Sequence, residues 1–241
     1  MRIEGKAVLV TGANRGIGRA LVEEALARGA ARVYAGTRQP LANADRRVVP
    51  ITLDVTSATD VQRAAKQVGA LDVLVNNAGL ALYVDLADRA ALEAQVAVNL
   101  FGTYDVTKAF LPLLVRARGA IVNNLSLNSL APLAVNPAYA MSKAAAWSLT
   151  QSLRAVLSGQ GVSVHAVLTG PVDTDMTRGL PVPKASPESV AQAIFDGVEN
   201  DQEDIFPDPW SQSLAAGWPD GAAKILERQF AAFVQDEPVA S

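Results

Sequence analysis

The stretch Lys6–Gly29, "KAVLVTGANRGIGRALVEEALARG", decides how the chain is read. It opens on an unbroken apolar run, Ala7 to Val10. A run with no polar alternation suits a strand covered on both faces. The chain then passes through "TGANRGIG", Thr11 to Gly18, into a segment whose apolar residues recur at helical spacing and which stops at Gly29. Small residues at Gly12, Gly16 and Gly18 let backbone approach a ligand closely. A helix opening there presents free N–H groups and partial positive charge. Strand, glycine turn and helix together read as a cradle for the pyrophosphate of a dinucleotide, with Asn14, Arg15 and Ile17 between the glycines. The spacing Gly-x-x-x-Gly-x-Gly differs from the commoner Gly-x-Gly-x-x-Gly fingerprint.

Outward from this turn the pattern repeats. "RVYAGTR", "RVVPITLDV", "LDVLVNNAG", "GAIVNNLS" and "VSVHAVLTGP" are short, rich in Val, Ile or Leu, and bounded by Gly, Asn, Asp or Pro. Helical patterns lie between most of them: residues 58–68, about 92–114, about 137–157, and 187–199. Only "QPLANAD", after the second strand, is too polar for a helix and reads as a loop or a single turn. Apolar strands alternating with helices predict an α/β fold of three layers, a doubly wound parallel sheet of about seven strands in the order 3-2-1-4-5-6-7. With no Pro/Gly/Ser-rich linker, residues 1–241 are expected to form one domain, with 200–241 as an atypical C-terminal strand and helix. In such sheets ligands bind at the carboxyl ends of the strands.

Bulk composition narrows the function. Half of the 241 residues are hydrophobic, enough for one large core, and the net charge is −3. "RR" at Arg46–Arg47 is too short a basic run for a nucleic-acid surface. The chain has no cysteine and one histidine, His165, inside the apolar run "VSVHAVL". A zinc site is therefore not expected, His165 reads as a satisfied core imidazole, and a cytoplasmic location follows naturally. "MRIEGK" leads straight into a strand, so no signal peptide is expected, and no apolar run approaches a membrane span.

The end of the second strand selects the cofactor. NAD-binding sheets usually place an acid about 20 residues after the glycines to hold the ribose 2′-hydroxyl. Here the strand ends in "AGTRQ", with Thr37 and Arg38. A guanidinium binds a 2′-phosphate that an acid would repel. With Arg15 as a second cation, NADP(H) is the expected cofactor.

Further along stands "YAMSK", Tyr139 to Lys143, whose phenol and ammonium share one helix face. Taken with "TGANRGIG", "LDVT", "NNAG", "VNLFGT", "NNLS" and "TGPVDTDM", in that order, it makes the chain resemble the short-chain dehydrogenase/reductase family over roughly residues 5–200. Ser126 lies thirteen residues before Tyr139, as the family requires. The resemblance implies a Rossmann fold and a catalytic set of Asn99, Ser126, Tyr139 and Lys143. Tyr139 would donate or accept the substrate proton, and Lys143 would lower its pKa and hold the nicotinamide ribose. Ser126 would hydrogen-bond the substrate oxygen, and Asn99 would anchor a relay water. It also implies that Asp54 and Val55 flank the adenine, that Asn77, Ala78 and Gly79 border the cofactor, and that Pro171, Val172 and Thr174 meet the nicotinamide end. Asn76 reads as a sheet fastener.

The activity expected is that of an NADP(H)-dependent carbonyl reductase or alcohol dehydrogenase. Its substrate walls would include Leu80, Leu82, Tyr83, Leu127, Asn128, Leu133 and Val135. The alternatives are an NADP-binding regulatory protein, an NAD-preferring alcohol dehydrogenase, and an isomerase or dehydratase. Turnover and net redox change separate them. Apolar residues around most of the helices holding Phe110, Leu111, Trp147 and Leu149 predict a homodimer, with a homotetramer less favoured because "DIFPDPW" is a poor edge strand. Ile225, Leu226, Phe230 and Phe233 form one apolar side of a C-terminal helix, for which a lid, an interface element and packing on the core are all open, with packing the default.

Overall fold

The computed structural model describes residues 1–39, 45–84 and 86–234, with side chains through residue 230; most of "QPLANAD" lies outside them. The described residues build one sheet of seven strands: β1 (Ala7–Thr11), β2 (Arg32–Thr37), β3 (Val48–Thr52), β4 (Val73–Asn76), β5 (Ala120–Asn124), β6 (Ser163–Val167) and β7 (Asp204–Ile205). Their order is β3-β2-β1-β4-β5-β6-β7, every pair parallel. Pro50 is tolerated in β3 because β3 is an edge strand, with β2 as its one neighbour.

Eight α-helices accompany the described strands: α1 (Gly16–Ala27), α2 (Ala58–Gln67), α3 (Arg89–Val96), α4 (Thr103–Ala117), α5 (Pro137–Leu157), α6 (Pro187–Glu199), α7 (Pro209–Ala215) and α8 (Ala222–Val234). Strand residues alternate between the two helical layers. Val8 and Val10 face Leu21 of α1 and Ile194 and Phe195 of α6. Leu9 and Leu74 face the opposite layer, with Val61 of α2 and Val106, Phe110 and Leu114 of α4. Both faces being covered explains why the strands read as unbroken apolar runs.

The helix expected over 92–114 is interrupted. A π-helical stretch, Ala97–Gly102, joins α3 to α4. Such local widening often marks a functional site, and Asn99 lies within it. Gly102 is required there, because a Cβ would come within 2.7 Å of Val55.

Among the apolar residues of α4 and α5, Phe110 and Trp147 pack inside: Phe110 is in the core, and Trp147 lies edge to face with Trp218 at 5.9 Å, whose ring stands 5.6 Å from that of Phe206. One expectation needs correction. In α8 the side expected to pack points outward, with Ile225, Leu226 and Phe230 all exposed, while Phe233 lies outside the described side chains. The inward side is charged. Lys224, 4% exposed, pairs with Asp204 at 2.8 Å, Glu203 at 2.7 Å and Glu227 at 3.1 Å. Arg154 of α5 pairs with Asp204 at 2.9 Å and with Glu227, and donates to the Glu203 carbonyl at 2.8 Å. Helix α8 is thus pinned to β7 and α5 by ions rather than by an apolar stripe.

Candidate active site

The strand ends are fastened before any site is formed. Thr11 Oγ1 accepts the Asn77 and Ala78 N–H groups, each at 2.9 Å. Asn77 donates to the Thr11 carbonyl at 3.0 Å and accepts from Asn124 at 2.9 Å; Asn124 in turn accepts from Thr169 at 2.9 Å. This polar chain ties β1, β4, β5 and β6 together at their carboxyl ends. One layer deeper Asn76 donates to Asn123 and Thr107, both at 2.9 Å, which is the fastening expected of it. His165 is buried away from this edge. Its Nδ1 lies 2.6 Å from the Gln202 carbonyl, and burial pushes its pKa down.

Above the edge opens a cleft of about 700 Å³. All the residues assigned to cofactor binding line it: Gly12, Asn14, Arg15, Gly16, Ile17 and Gly18 at the turn, Thr37 and Arg38 after β2, Asp54 and Val55 after β3, Asn77 to Gly79 after β4, and Pro171, Val172 and Thr174 after β6. Ser126, Tyr139 and Lys143 line its other end. Among the expected substrate walls Leu80, Tyr83, Leu127, Asn128 and Leu133 border the cleft, whereas Leu82 and Val135 do not. Asn136, buried beside Tyr139, lines it with an Oδ1 that has no hydrogen-bond partner among the described residues.

The turn at the head of α1 is shaped by backbone contact. Gly12 takes φ +66°, and a Cβ on Gly18 would stand 2.1 Å from the Gly12 carbonyl oxygen. The first turn of α1 carries no acid and no side-chain cap, so its N–H groups remain available to an anion. Asp54 accepts from Thr56 Oγ1 at 2.7 Å and Thr56 N at 2.9 Å; these bonds first, and Arg38 in addition, hold its carboxyl below the usual range. Arg15 bonds Asp175 at 2.9 Å across the cleft mouth. Both are well exposed, so that pair contributes at most about 1 kcal/mol.

At the opposite end Ser126 follows β5 in extended conformation and accepts the Asn128 N–H at 3.1 Å. Pro137 starts α5 with its fixed φ, and Tyr139 and Lys143 follow on one face. Lys143 Nζ donates to the Asn124 carbonyl at 2.7 Å and lies 5.8 Å from the centre of the Tyr139 ring. Burial pushes the Tyr139 phenol up to about 12, although the Ser126 hydroxyl draws it back. Burial brings Lys143 down to about 8. The expected lowering of Tyr139 by Lys143 does not appear among the protein's own groups: burial dominates, and the Lys143 ammonium is spent on the Asn124 carbonyl. Asn99 does not line the cleft. Its amide accepts from Leu80 N at 2.9 Å and donates to Leu80 O and Ser142 Oγ, both at 2.8 Å.

A family model described as short chain dehydrogenase matches residues 6–184. The chain belongs to the short-chain dehydrogenase family. It is 34% identical to a 3-oxoacyl-[acyl-carrier-protein] reductase of Thermotoga maritima, covering 81% of this chain and 91% of that one. It is 36% identical to 2-(S)-hydroxypropyl-CoM dehydrogenase 3 of Xanthobacter autotrophicus, covering 80% and 82%. Among solved structures it resembles a short chain dehydrogenase of Burkholderia cenocepacia in complex with NADP, with 37% identity, a TM-score of 0.87, and coverage of 95% and 98%. This short-chain dehydrogenase is therefore an oxidoreductase that uses a nicotinamide cofactor. No helix among its described residues is long and apolar enough to cross a membrane, and no cluster of described residues could hold a metal ion.

Sequence reasoning missed Trp210, at the start of α7, which lines the cleft; Met176 and Leu180 line it from the segment after Thr174. "PDPW" did hold a signal: an Asp followed by Pro is a helix start, and it places Trp210 in the first turn.

Proposed function

We propose that this protein is an NADP(H)-dependent reductase of ketones or aldehydes, or the reverse secondary-alcohol dehydrogenase, working in the cytoplasm. The observation that carries the reading is the convergence of Ser126, Tyr139 and Lys143 on the end of the cleft opposite Arg38. The uncapped α1 N-terminus and the space left by Gly12 and Gly18 fit a pyrophosphate, and Arg38 fits a 2′-phosphate. When bound, the nicotinamide supplies or accepts the hydride.

The protein's own groups supply the rest. A phenol held up near 12 stays protonated at neutral pH, which is the form a proton donor needs. Tyr139 gives that proton to the substrate oxygen as negative charge develops there. The Ser126 hydroxyl bonds the same oxygen and orients it. Lys143, protonated below about 8, offsets the charge left on Tyr139. Asn99 acts by positioning: its amide joins Leu80 to Ser142, leaving its carbonyl, which already accepts from Thr103 at 3.0 Å, for the relay water.

The decisive experiment measures NADPH and NADH oxidation against a panel of ketones and aldehydes. NADPH should be preferred, and Arg38→Asp should cut that preference about tenfold or more, the loss of one charge-assisted bond. Parental preference for NADH would overturn the cofactor reading. NADPH binding without turnover of any carbonyl would favour the regulatory alternative. We further propose a homodimer through α4 and α5, supported by Phe101, Tyr104 and Met141, which remain exposed beside them. Light scattering should give twice the 25.2 kDa chain mass; a monomer would refute it.

A further inference from the structure

Gly170 sits in the turn after β6, between Thr169, which bonds Asn124, and Pro171, which lines the cleft. Its lack of a side chain is explained by the C-terminal segment. A Cβ there would lie 2.5 Å from Asp208 Oδ1 and 3.0 Å from Trp210 Cβ. Asp208 is 2% exposed and fully engaged. Its Oδ2 accepts the Gly170 N–H at 2.7 Å and the Ser211 hydroxyl at 2.8 Å; its Oδ1 accepts Trp210 N at 3.0 Å and Ser211 N at 3.1 Å. One buried carboxylate therefore caps α7 and holds it against the Gly170 turn. Pro209 follows at the first helical position, where its fixed φ aims the next residue. That residue is Trp210, which reaches the cleft and is still 49% exposed. Tyr83, Leu133 and Met176 border the same cleft and are also exposed. Four large apolar side chains left open at one cleft are a binding surface rather than scattered exposure.

We infer that Trp210 is the substrate-selecting wall of this enzyme, that Asp208 is the residue positioning it, and that the substrate is a carbonyl compound bearing an aryl group that stacks on the indole. A flat aromatic surface gains most from a flat aromatic partner, beyond simple burial. The inference rests on the reductase reading for the carbonyl, but the aryl contact is measurable without turnover. Two probes serve: 2-acetylnaphthalene and butan-2-one.

Equilibrium dialysis of the full chain with saturating NADP⁺ measures 2-acetylnaphthalene affinity. Trp210→Ala should weaken it about tenfold or more, and Trp210→Phe should recover most of the loss. If Trp210→Ala fails to fold, Trp210→Leu, which keeps apolar bulk but no ring, should show a similar loss. In turnover the kcat/KM ratio of 2-acetylnaphthalene to butan-2-one should fall by a similar factor. Asp208→Asn should weaken aryl binding in the parent but add little to Trp210→Ala, because the two act as a unit. Equal aryl affinity in the parent and Trp210→Ala would overturn the wall, and additive losses would overturn the positioning role. A parent that binds the aryl ketone through Trp210 yet reduces no carbonyl would sink the reductase reading and leave the wall standing.

Discussion

At the Gly12–Gly18 turn the cleft wall is backbone; at Pro209–Ala215 it is side chain. The turn works by bare close approach, with a Gly18 Cβ position only 2.1 Å from the Gly12 carbonyl and an open helix N-terminus. The C-terminal wall works by pinning. Asp208 fixes α7, while Arg154, Lys224 and the carboxylates around them fix α8 and β7. A pyrophosphate does not vary between substrates, so the first wall can be rigid and rest on backbone alone. Substrates vary, and a wall of interchangeable side chains on a separately anchored segment can change without disturbing the cofactor.

The contrast breaks first at Lys224. Lys224→Ala leaves Glu203, Asp204 and Glu227 around Arg154 alone. Removing one partner from a buried ion set costs roughly 3–5 kcal/mol, a fall in Tm on the order of 10 °C for a domain this size. A melt within a degree or two of the parent would show that the C-terminal segment is held by something other than its charges.

Gly18→Ala probes the other wall and should cost less stability, about 1–3 kcal/mol of overpacking. Its signature is functional: NADPH affinity should fall more than tenfold, since backbone on both sides must shift. Parental affinity would show that the turn tolerates a methyl and that its glycines serve only the chain reversal.

Acid sharpens the same contrast with the smallest effect. Burial would raise Asp204 and Glu203, but Arg154 and Lys224 carry both below their ordinary values. Groups with lowered pKa contribute stability above the usual carboxylate range and lose it as pH falls through their folded values. Arg154 and Lys224 are raised, so they lose nothing on the acid side. Trp218 donates to Asp204 at 2.8 Å, so below the ordinary aspartate pKa of about 3.9 tryptophan fluorescence should change before far-UV circular dichroism does. Coincident transitions would mean that the segment and the sheet unfold together.

How legible each wall was follows from its physics. Gly12, Gly16 and Gly18 shape a turn at fixed local spacing, so the sequence displays them; Ser126, Tyr139 and Lys143 became legible through the order of motifs that resembles the family, and the structure brings all three to one cleft. Strand order followed from apolar runs alternating with helices. The interruption at Ala97–Gly102 was not visible, because no local pattern distinguishes a π stretch from a helix. Nor were Asp208, Trp210 and the ion set around Lys224, since their partners lie far along the chain: Gly170 is 38 residues from Asp208, and Glu227 is 73 from Arg154. The apolar side of α8 misled for the same reason. Helical amphipathicity tells that a helix has two faces, and which one turns inward depends on what waits there.

Tyr139→Phe tests the central claim most directly. It keeps the ring in its buried place and removes only the proton that the account assigns to the substrate oxygen. NADPH-dependent carbonyl reduction should fall by about 10²–10⁴-fold, while NADPH titrated by fluorescence should bind within about threefold of the parent. A variant that reduces carbonyls at close to the parental rate would contradict the account, because the proton would then come from elsewhere.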